Sequence, residues 1–121
     1  MNEKTLDIIP KVSEYEIQKA VVQFLELKKC KYTSIPNSTY TRSWSQKMKN
    51  KQSGLRAGLP DLFVIYNNHA FFIEMKTPKG IISDYQAEWI REINKTEIKA
   101  YVCRSVDDVA KVLEQYESRI Y

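Results

Sequence analysis

Two apolar segments in the middle of the chain, 61–66 (DLFVIY) and 69–76 (HAFFIEMK), are separated only by Asn67 and Asn68. Asparagine tolerates the left-handed backbone that a two-residue hairpin loop requires. In each segment, most of the side chains that would point to either side of the strand are apolar. Both faces of the predicted antiparallel pair are therefore apolar. Strands of this kind are usually covered by helices on both sides. The hairpin therefore favours folds in which a sheet lies between helices.

Predicted helices and strands surround this hairpin. They are, in chain order, a helix from Glu14 to about Lys29, a strand at 31–36, a short basic helix at 44–52, a helix from Ser83 to about Asn94, a strand at 98–103, and a last helix capped by Ser105 with Val106, Val109, Ala110, Leu113 and Tyr116 on its core side. Ser13 with Glu16, and Ser83 with Gln86, have the spacing of capping boxes. The order α-β-(short α)-β-β-α-β-α predicts an α/β fold with a mixed sheet. We expect one domain over residues 1–121, with 1–12 as a flexible lead-in.

Composition excludes several classes of protein. Apolar residues make up 43% and charged residues 28% of the chain, as in ordinary soluble globular proteins. No apolar run approaches the roughly 18 residues of a membrane-spanning helix. The N-terminus has an acid at Glu3 and no apolar core of a secretion signal, so we expect a cytoplasmic protein. Cys30 and Cys103 are then expected to be reduced thiols, and with the single His69 they are too few for a zinc site.

Basic residues are concentrated in the first half of the chain. Between Leu27 and Pro60 there are eight Lys and Arg residues and no acid, whereas 61–121 holds eight basic and ten acidic residues. A stretch of one sign indicates a polyanionic partner, because each cation placed on a phosphate releases a counterion. The alternative is a solvated face that aids solubility. The cations expected to contact phosphates are Arg42, Lys47, Lys49, Lys51 and Arg56.

The predicted hairpin brings two acids together. If its loop has two residues, Asp61 lies opposite Glu74, with Cβ atoms about 4.5–5.5 Å apart. Two carboxylates at that distance repel each other, and a shared divalent cation such as Mg²⁺ or Mn²⁺ gives a reason to place them there. Lys76 follows Glu74 on the same strand face, about 6.5 Å along it, and can reach a water or a phosphate oxygen at the cation.

A third carboxylate is expected from the first helix. Glu14 borders the apolar face of that helix and can point over the sheet, whereas Glu16 points towards solvent, so we favour Glu14. The alternative is that both acids only complement the helix dipole. Gln18, one turn after Glu14, is placed to orient a ligand or a water.

Five short motifs in order resemble those of the VRR-NUC family, a branch of the PD-(D/E)XK nuclease superfamily. They are Glu14…Gln18, Ile35-Pro36-Asn37, Gly58-Leu59-Pro60-Asp61-Leu62, Glu74-Met75-Lys76 and Ser83…Gln86, and the resemblance covers Ser13 to Val112. It implies a restriction-endonuclease-like α-β-β-β-α-β core. It also implies Asp61, Glu74 and Glu14 as metal ligands. Lys76 then matches the catalytic lysine, and Gln86 matches a glutamine of the family on the following helix. Leu59 departs conservatively from the Val that is common there.

The resemblance implies a DNA endonuclease that uses one or two Mg²⁺ or Mn²⁺ ions, with the backbone carbonyl of Met75 as a possible further ligand. Some small members of phage type act as homodimers on branched DNA, including four-way junctions, so a bacterial or phage-infected cell is the expected location. Two alternatives stay open: a catalytically inactive nucleic-acid-binding module on the same fold, and an interaction protein with an acidic partner. The complete set of Asp61, Glu74 and Lys76 argues against the inactive module.

Three polar or aromatic side chains of the basic stretch have two interpretations each. Trp44 and Tyr40 are expected to pack a helix against the sheet, as most aromatic residues do. The alternative is that they stack on an unpaired base or a junction arm. Asn37 either contacts DNA near the metal or turns the chain. The stripe of the last helix is expected to be a core face, with a dimer contact as the alternative.

Overall fold

The computed structural model describes residues 12–36 and 42–117. Its elements are α1 (Glu14–Leu27), β1 (Lys31–Ser34), α2 (Trp44–Gln52), β2 (Leu62–Tyr66), β3 (His69–Met75), α3 (Asp84–Asn94), β4 (Lys99–Cys103) and α4 (Val106–Glu114). This is the predicted order. Asn37, Tyr40 and residues 1–11 of the expected lead-in lie outside the described residues. None of the helices in the described ranges combines the length and apolar character needed to cross a membrane.

The strands form one four-stranded sheet in the order β1-β2-β3-β4. β2 pairs antiparallel with β1 and with β3, while β3 and β4 run parallel, so the sheet is mixed as predicted. Asn67 and Asn68 form the tight loop between β2 and β3 with φ values of 50° and 67°. Tyr66 pairs with His69 and Leu62 with Ile73. The predicted hairpin register is therefore confirmed.

One face of the sheet forms the core of the protein. Five side chains of the hairpin on this face are fully buried: Leu62, Val64, Phe71, Ile73 and Met75. They pack against α1, which buries Ile17, Val21 and Leu25, and against α4, which buries Val109, Val112 and Leu113. Phe71 stacks on Tyr116 with ring centroids 4.7 Å apart. The predicted stripe of α4 is a core face, and Val112 joins it because positions three and four apart share one side of a helix.

The opposite face is less completely covered. Phe63 and Phe72 are half-buried with ring centroids 5.1 Å apart, and Ile65 keeps 40% of its surface exposed. α3 packs beside β4, where the Asn94 side chain binds both the N–H and the carbonyl of Ala100. The expectation that helices bury both faces of the hairpin is thus met fully only on the core face.

Candidate active site

Glu74, near the end of β3, is the one charged side chain that is buried among the described residues. Neither of its carboxylate oxygens has a hydrogen-bond partner there. Burial and, next in size, the nearby negative charge of Asp61 together raise the pKa of Glu74 to about 8. The cation of Lys76 opposes this shift, and Glu14 adds a weaker contribution in the same direction as Asp61. A buried carboxylate without partners is costly and needs a compensating ligand or a proton.

Asp61 is fixed beside Glu74 by the hairpin. It directly precedes β2, and its half-buried carboxylate accepts the N–H of Met75 through Oδ2 at 2.7 Å. Its own carbonyl accepts the N–H of Ile35 at 2.7 Å, which ties the residue to β1 as well. Because Leu62 pairs with Ile73, Asp61 and Glu74 are the next residues along the two strands. The structure therefore brings the two predicted acids together.

Lys76 directly follows β3 and points to the same group of acids. Its Nζ lies 3.6 Å from Oε2 of Glu74, and only 12% of its side chain is exposed. This separation is longer than a normal hydrogen bond, and the two groups form an ion pair when Glu74 is ionised. The N–H of Lys76 donates to the carbonyl of Cys103 at 3.0 Å, so β4 holds the backbone in place. Lys76 is thus a nearly enclosed cation beside the two carboxylates.

Arg104 holds the loop that follows Lys76, a function that the sequence did not reveal. Its Nη1 donates to the carbonyls of Thr77 at 2.6 Å and Gly80 at 2.8 Å, and it also lies 3.3 Å from that of Pro78. The Arg104 N–H donates in turn to Asp108 Oδ2 at 2.8 Å. These groups become neighbours only because β3 and β4 pair in parallel. No local sequence pattern indicates the contact.

α3 holds the turn that leads into Asp61. The indole N–H of Trp89 donates to the carbonyl of Ala57 at 2.9 Å. Gly58 has φ +104°, and a Cβ there would lie 2.6 Å from the carbonyl oxygen of Tyr85. The sequence predicted a turn at 58–60, but the close contact with α3 is visible only in the tertiary structure.

The two acids of α1 differ in the way that the helical wheel predicts. Glu14 is half-buried and acts on the pKa of Glu74, whereas Glu16 is exposed. Ser13 Oγ accepts the Glu16 N–H at 3.1 Å, which is one of the two bonds of the expected capping box. Gln18 is half-buried one turn further along. Of the two acids, Glu14 is the one that acts on the pKa of Glu74, and its role as a metal ligand stays a prediction.

A small hard cation fits this set of groups. Among the described residues, no group of three or more His, Cys, Asp or Glu side chains could hold a metal ion by itself. The close acids are the pair Asp61 and Glu74, and neither oxygen of Glu74 is engaged in a hydrogen bond. A pair suits Mg²⁺, which keeps several waters and is bound by one or two carboxylates together with substrate phosphates.

Gln86 has a structural function at the start of α3. Its side-chain Oε1 accepts the Ser83 N–H at 3.0 Å, and its own N–H donates to Ser83 Oγ at 3.2 Å. The predicted capping box at this position is therefore confirmed. A catalytic role for Gln86 stays a prediction.

The predicted phosphate-binding cations are on the surface. Arg42, Lys47, Lys49, Lys51 and Arg56 are all exposed. The three lysines belong to α2, which Ser43 caps by accepting the N–H of Gln46 at 3.2 Å. Arg56 Nη1 donates to the carbonyl of Leu55 at 3.0 Å and to that of Lys51 at 3.3 Å, which keeps this cation close to the end of α2.

The expected packing of Trp44 against the sheet is wrong. Trp44 is 74% exposed, and α2 buries none of its side chains. The reason is that Trp44 and Met48 are the only large apolar residues in the nine positions of α2, too few for a core-facing stripe. The aromatic ring is therefore available to a ligand.

Comparison with known proteins agrees with this fold. The family model described as VRR-NUC domain matches residues 3–107. A solved structure named "VRR_NUC domain protein" is 26% identical, with a TM-score of 0.69 over 89% of this chain and 90% of that chain. A second, named "VRR_NUC domain", is 23% identical, with a TM-score of 0.64 over 86% and 97%, and supports the fold alone. No match was found among curated proteins.

Proposed function

Since this chain belongs to the VRR-NUC domain family, which is of nuclease type, we propose that it is an endodeoxyribonuclease that hydrolyses phosphodiester bonds with Mg²⁺ or Mn²⁺. The observation that carries the proposal is the Glu74 carboxylate, buried without a hydrogen-bond partner beside Asp61 and Lys76. A purely structural residue at this position would be expected to be apolar or hydrogen-bonded. A cation-binding carboxylate has a reason to be there.

Asp61, Glu74 and Glu14, with the backbone carbonyl of Met75, are the groups that would hold one or two ions. The chemistry supplied by a bound divalent ion is activation of water and neutralisation of charge on the phosphate. Asp61 is oriented for coordination by the Met75 N–H, which occupies one of its oxygens.

Lys76 acts on the reacting groups in this proposal. As the ammonium, its side chain positions the attacking water or stabilises the charge that develops on the phosphate, and as the neutral amine it would take a proton from that water. Its small exposed fraction and its ion pair with Glu74 keep that cation at the site. Gln86 and Gln18 are proposed as neighbouring polar groups, Gln18 to orient a water or the DNA.

The exposed cations of the basic stretch are proposed to bind phosphates on either side of the cut. They are Arg42, Lys47, Lys49, Lys51 and Arg56, with Asn37 as a further DNA contact. Phosphate contacts of this kind position a protein on DNA without reading its sequence. The proposal therefore predicts selection by DNA structure more than by base sequence.

Branched DNA, including four-way junctions, is the proposed substrate, and a homodimer is the proposed form. One active site cuts one strand, so paired cuts across a junction need two copies with matching two-fold symmetry. The proposed location is the cytoplasm of a bacterial or phage-infected cell. This part of the proposal rests on resemblance within the family.

The test is cleavage of supercoiled plasmid and of a synthetic four-way junction with Mg²⁺, Mn²⁺ or EDTA. We expect nicking that EDTA abolishes. Glu74→Gln and Lys76→Ala should each lower the cleavage rate by about 100-fold or more while DNA binding persists. DNA that is bound but intact under every condition would instead identify an inactive binding module. Protein that neither binds nor cuts DNA would favour the interaction protein.

Glu14 and Glu16 offer a matched pair for the helix-borne ligand. Both changes, Glu14→Gln and Glu16→Gln, remove one negative charge from the first turn of α1. Only the first is expected to lower cleavage and to raise the Mn²⁺ concentration needed for half-maximal rate, because Glu14 acts on Glu74 and Glu16 is exposed. Equal effects of the two variants would remove Glu14 from the site.

A further inference from the structure

α2 presents a mixed aromatic and basic stripe to solvent. Trp44, Lys47, Met48 and Lys51 are spaced at i, i+3, i+4 and i+7 and therefore share one side of the helix. All four are exposed, Trp44 at 74% and Met48 at 37%. Below, these four residues are called the α2 stripe. Lys49 is on the same helix but about 140° around the axis from Trp44, at roughly 100° per residue.

Neither lysine of the α2 stripe forms an ion pair within the described part of the protein. Ion pairs there join Lys28 with Glu117, Lys76 with Glu74 and Lys95 with Glu92, and none of them involves α2. The stretch from Leu27 to Pro60 contains no acidic residue at all. A ligand of the stripe must therefore supply negative charge close to an exposed indole ring.

We propose that the α2 stripe binds an unpaired DNA strand, with one base stacked on Trp44 and phosphates on Lys47 and Lys51. This rests on the proposed nuclease function and names the feature of the substrate that is selected. Every base has a π-face that can stack on an aromatic side chain, and a neighbouring basic groove follows the backbone. In a continuous duplex both faces of each base are already stacked. The α2 stripe therefore selects DNA that has unpaired nucleotides near the cut.

A second copy of the chain fits the same surface poorly. A two-fold contact through the α2 stripe would place the same patch of both protomers face to face. Lys47 and Lys51 would then face lysines of the same sign, with no acid on α2 to pair with them. Charge complementarity favours a nucleic acid strand over self-association.

The test is equilibrium binding of the full chain, in EDTA so that nothing is cut, to a labelled oligo-dT and to a blunt continuous duplex. Trp44→Ala should weaken binding of oligo-dT by about 5- to 100-fold and change duplex binding by less than about 2-fold. Trp44→Phe, which keeps an aromatic ring, should restore most of the affinity. Binding of oligo-dT should quench tryptophan fluorescence in the wild type, and the quench should be lost in Trp44→Phe.

Lys47→Ala and Lys111→Ala form the matched control, because they remove equal charge, one from the stripe and the other from an exposed position of α4. Lys47→Ala should lower the slope of log affinity against log salt for oligo-dT by about 0.7, and Lys111→Ala by clearly less. Equal losses for oligo-dT and duplex in Trp44→Ala, or no loss, would overturn the proposal. Tighter binding of oligo-U than of oligo-dT would overturn its choice of DNA. A change of oligomeric state in Trp44→Ala with unaltered oligo-dT binding would assign the ring to a protein interface instead.

These binding results are independent of catalysis. If plasmid and junction stay uncut with every metal while oligo-dT binding follows the predicted pattern, the nuclease function fails and the binding surface stands. If cleavage occurs and Trp44→Ala binds oligo-dT normally, the α2 stripe fails and the nuclease function stands.

Discussion

At the scale of single residues, the burial of Glu74 lowers the stability of the protein, and the proposed active site gives a reason to keep a carboxylate there. The carboxylate is fully buried, and neither of its oxygens has a hydrogen-bond partner within the described part of the chain. Burial and the charge of Asp61 hold its pKa at about 8, so the metal-free protein keeps a proton there at neutral pH. A cation must displace that proton, and metal affinity should rise with pH.

The stability of the metal-free protein should therefore fall as pH rises. The Glu74 pKa is about 8 when folded and 4.5 for an ordinary glutamate, so between these values only the folded state keeps the proton. The free energy of unfolding should decrease over this range, by an amount on the order of a few kcal/mol. Glu74→Gln, neutral at every pH, should lack this decrease. Urea unfolding at pH 5 and pH 8.5 in EDTA measures both.

Added Mg²⁺ or Mn²⁺ provides the control for this prediction. An ion that binds only the folded protein raises its stability by mass action, about 2.7 kcal/mol at a hundred times the dissociation constant. At pH 8.5 the wild type should regain stability and Glu74→Gln should not. Equal loss of stability with pH in both proteins would show that another group causes the dependence.

At the scale of elements, α3 holds in place the turn that precedes Asp61. Trp89 binds the carbonyl of Ala57, and the backbone at Tyr85 lies directly against Gly58. Three residues after Gly58 the chain reaches Asp61, whose carboxylate accepts the Met75 N–H. A shift of this turn is therefore expected to move Asp61, one of the proposed metal ligands.

Alanine variants at Gly58 and Gly54 distinguish the cost of this close packing from the cost of backbone strain. Both have positive φ, +104° and +93°, but a Cβ at Gly54 meets no heavy atom within 4 Å. Gly54→Ala should cost about 1–2 kcal/mol through strain alone. Gly58→Ala should cost a further 1–3 kcal/mol or so through overpacking, and should also slow cleavage. Urea unfolding and the plasmid assay measure these effects. Similar stabilities for the two variants would mean that α3 moves away from the added Cβ at little cost in free energy.

At the scale of the whole molecule, charge and chemistry lie in different parts of the chain. The net positive stretch includes α2, whose side chains are unburied, while the acids of the site lie on the hairpin and on α1. The proposed function assigns the phosphate contacts to the first of these parts and the cut to the second. Paired cuts in a junction require this arrangement twice, which is the reason for proposing a homodimer.

Mixed dimers test that proposal. Wild-type protein is equilibrated with a large excess of Lys76→Ala, so that most active subunits have an inactive partner, and is added to a four-way junction with Mg²⁺. We expect nicked junctions to accumulate at the expense of paired cuts, since each mixed dimer cuts one strand. Native and denaturing gels distinguish these products. If the amounts of nicked and doubly cut junction instead decrease by the same factor, the two copies act independently.

The sequence alone determined the fold class and the pair of acids. Asn67 and Asn68 set the hairpin loop, and the loop sets the register that places Asp61 beside Glu74. The helix starts at Ser83 and Ser105 were predictable for the same reason. Turn chemistry, capping and side-chain alternation depend on residues only a few positions apart, and those are visible in the sequence.

Only the tertiary structure decided how that pair is surrounded. Four features depend on residues that are distant in sequence. They are the full burial of Glu74, the contacts of Arg104 with the loop after Lys76, the packing of Gly58 on α3 and the exposure of Trp44. The physical reason is that desolvation and close packing depend on which elements cover one another. Hydrophobic burial is non-directional, so the local pattern of a segment does not specify its neighbours.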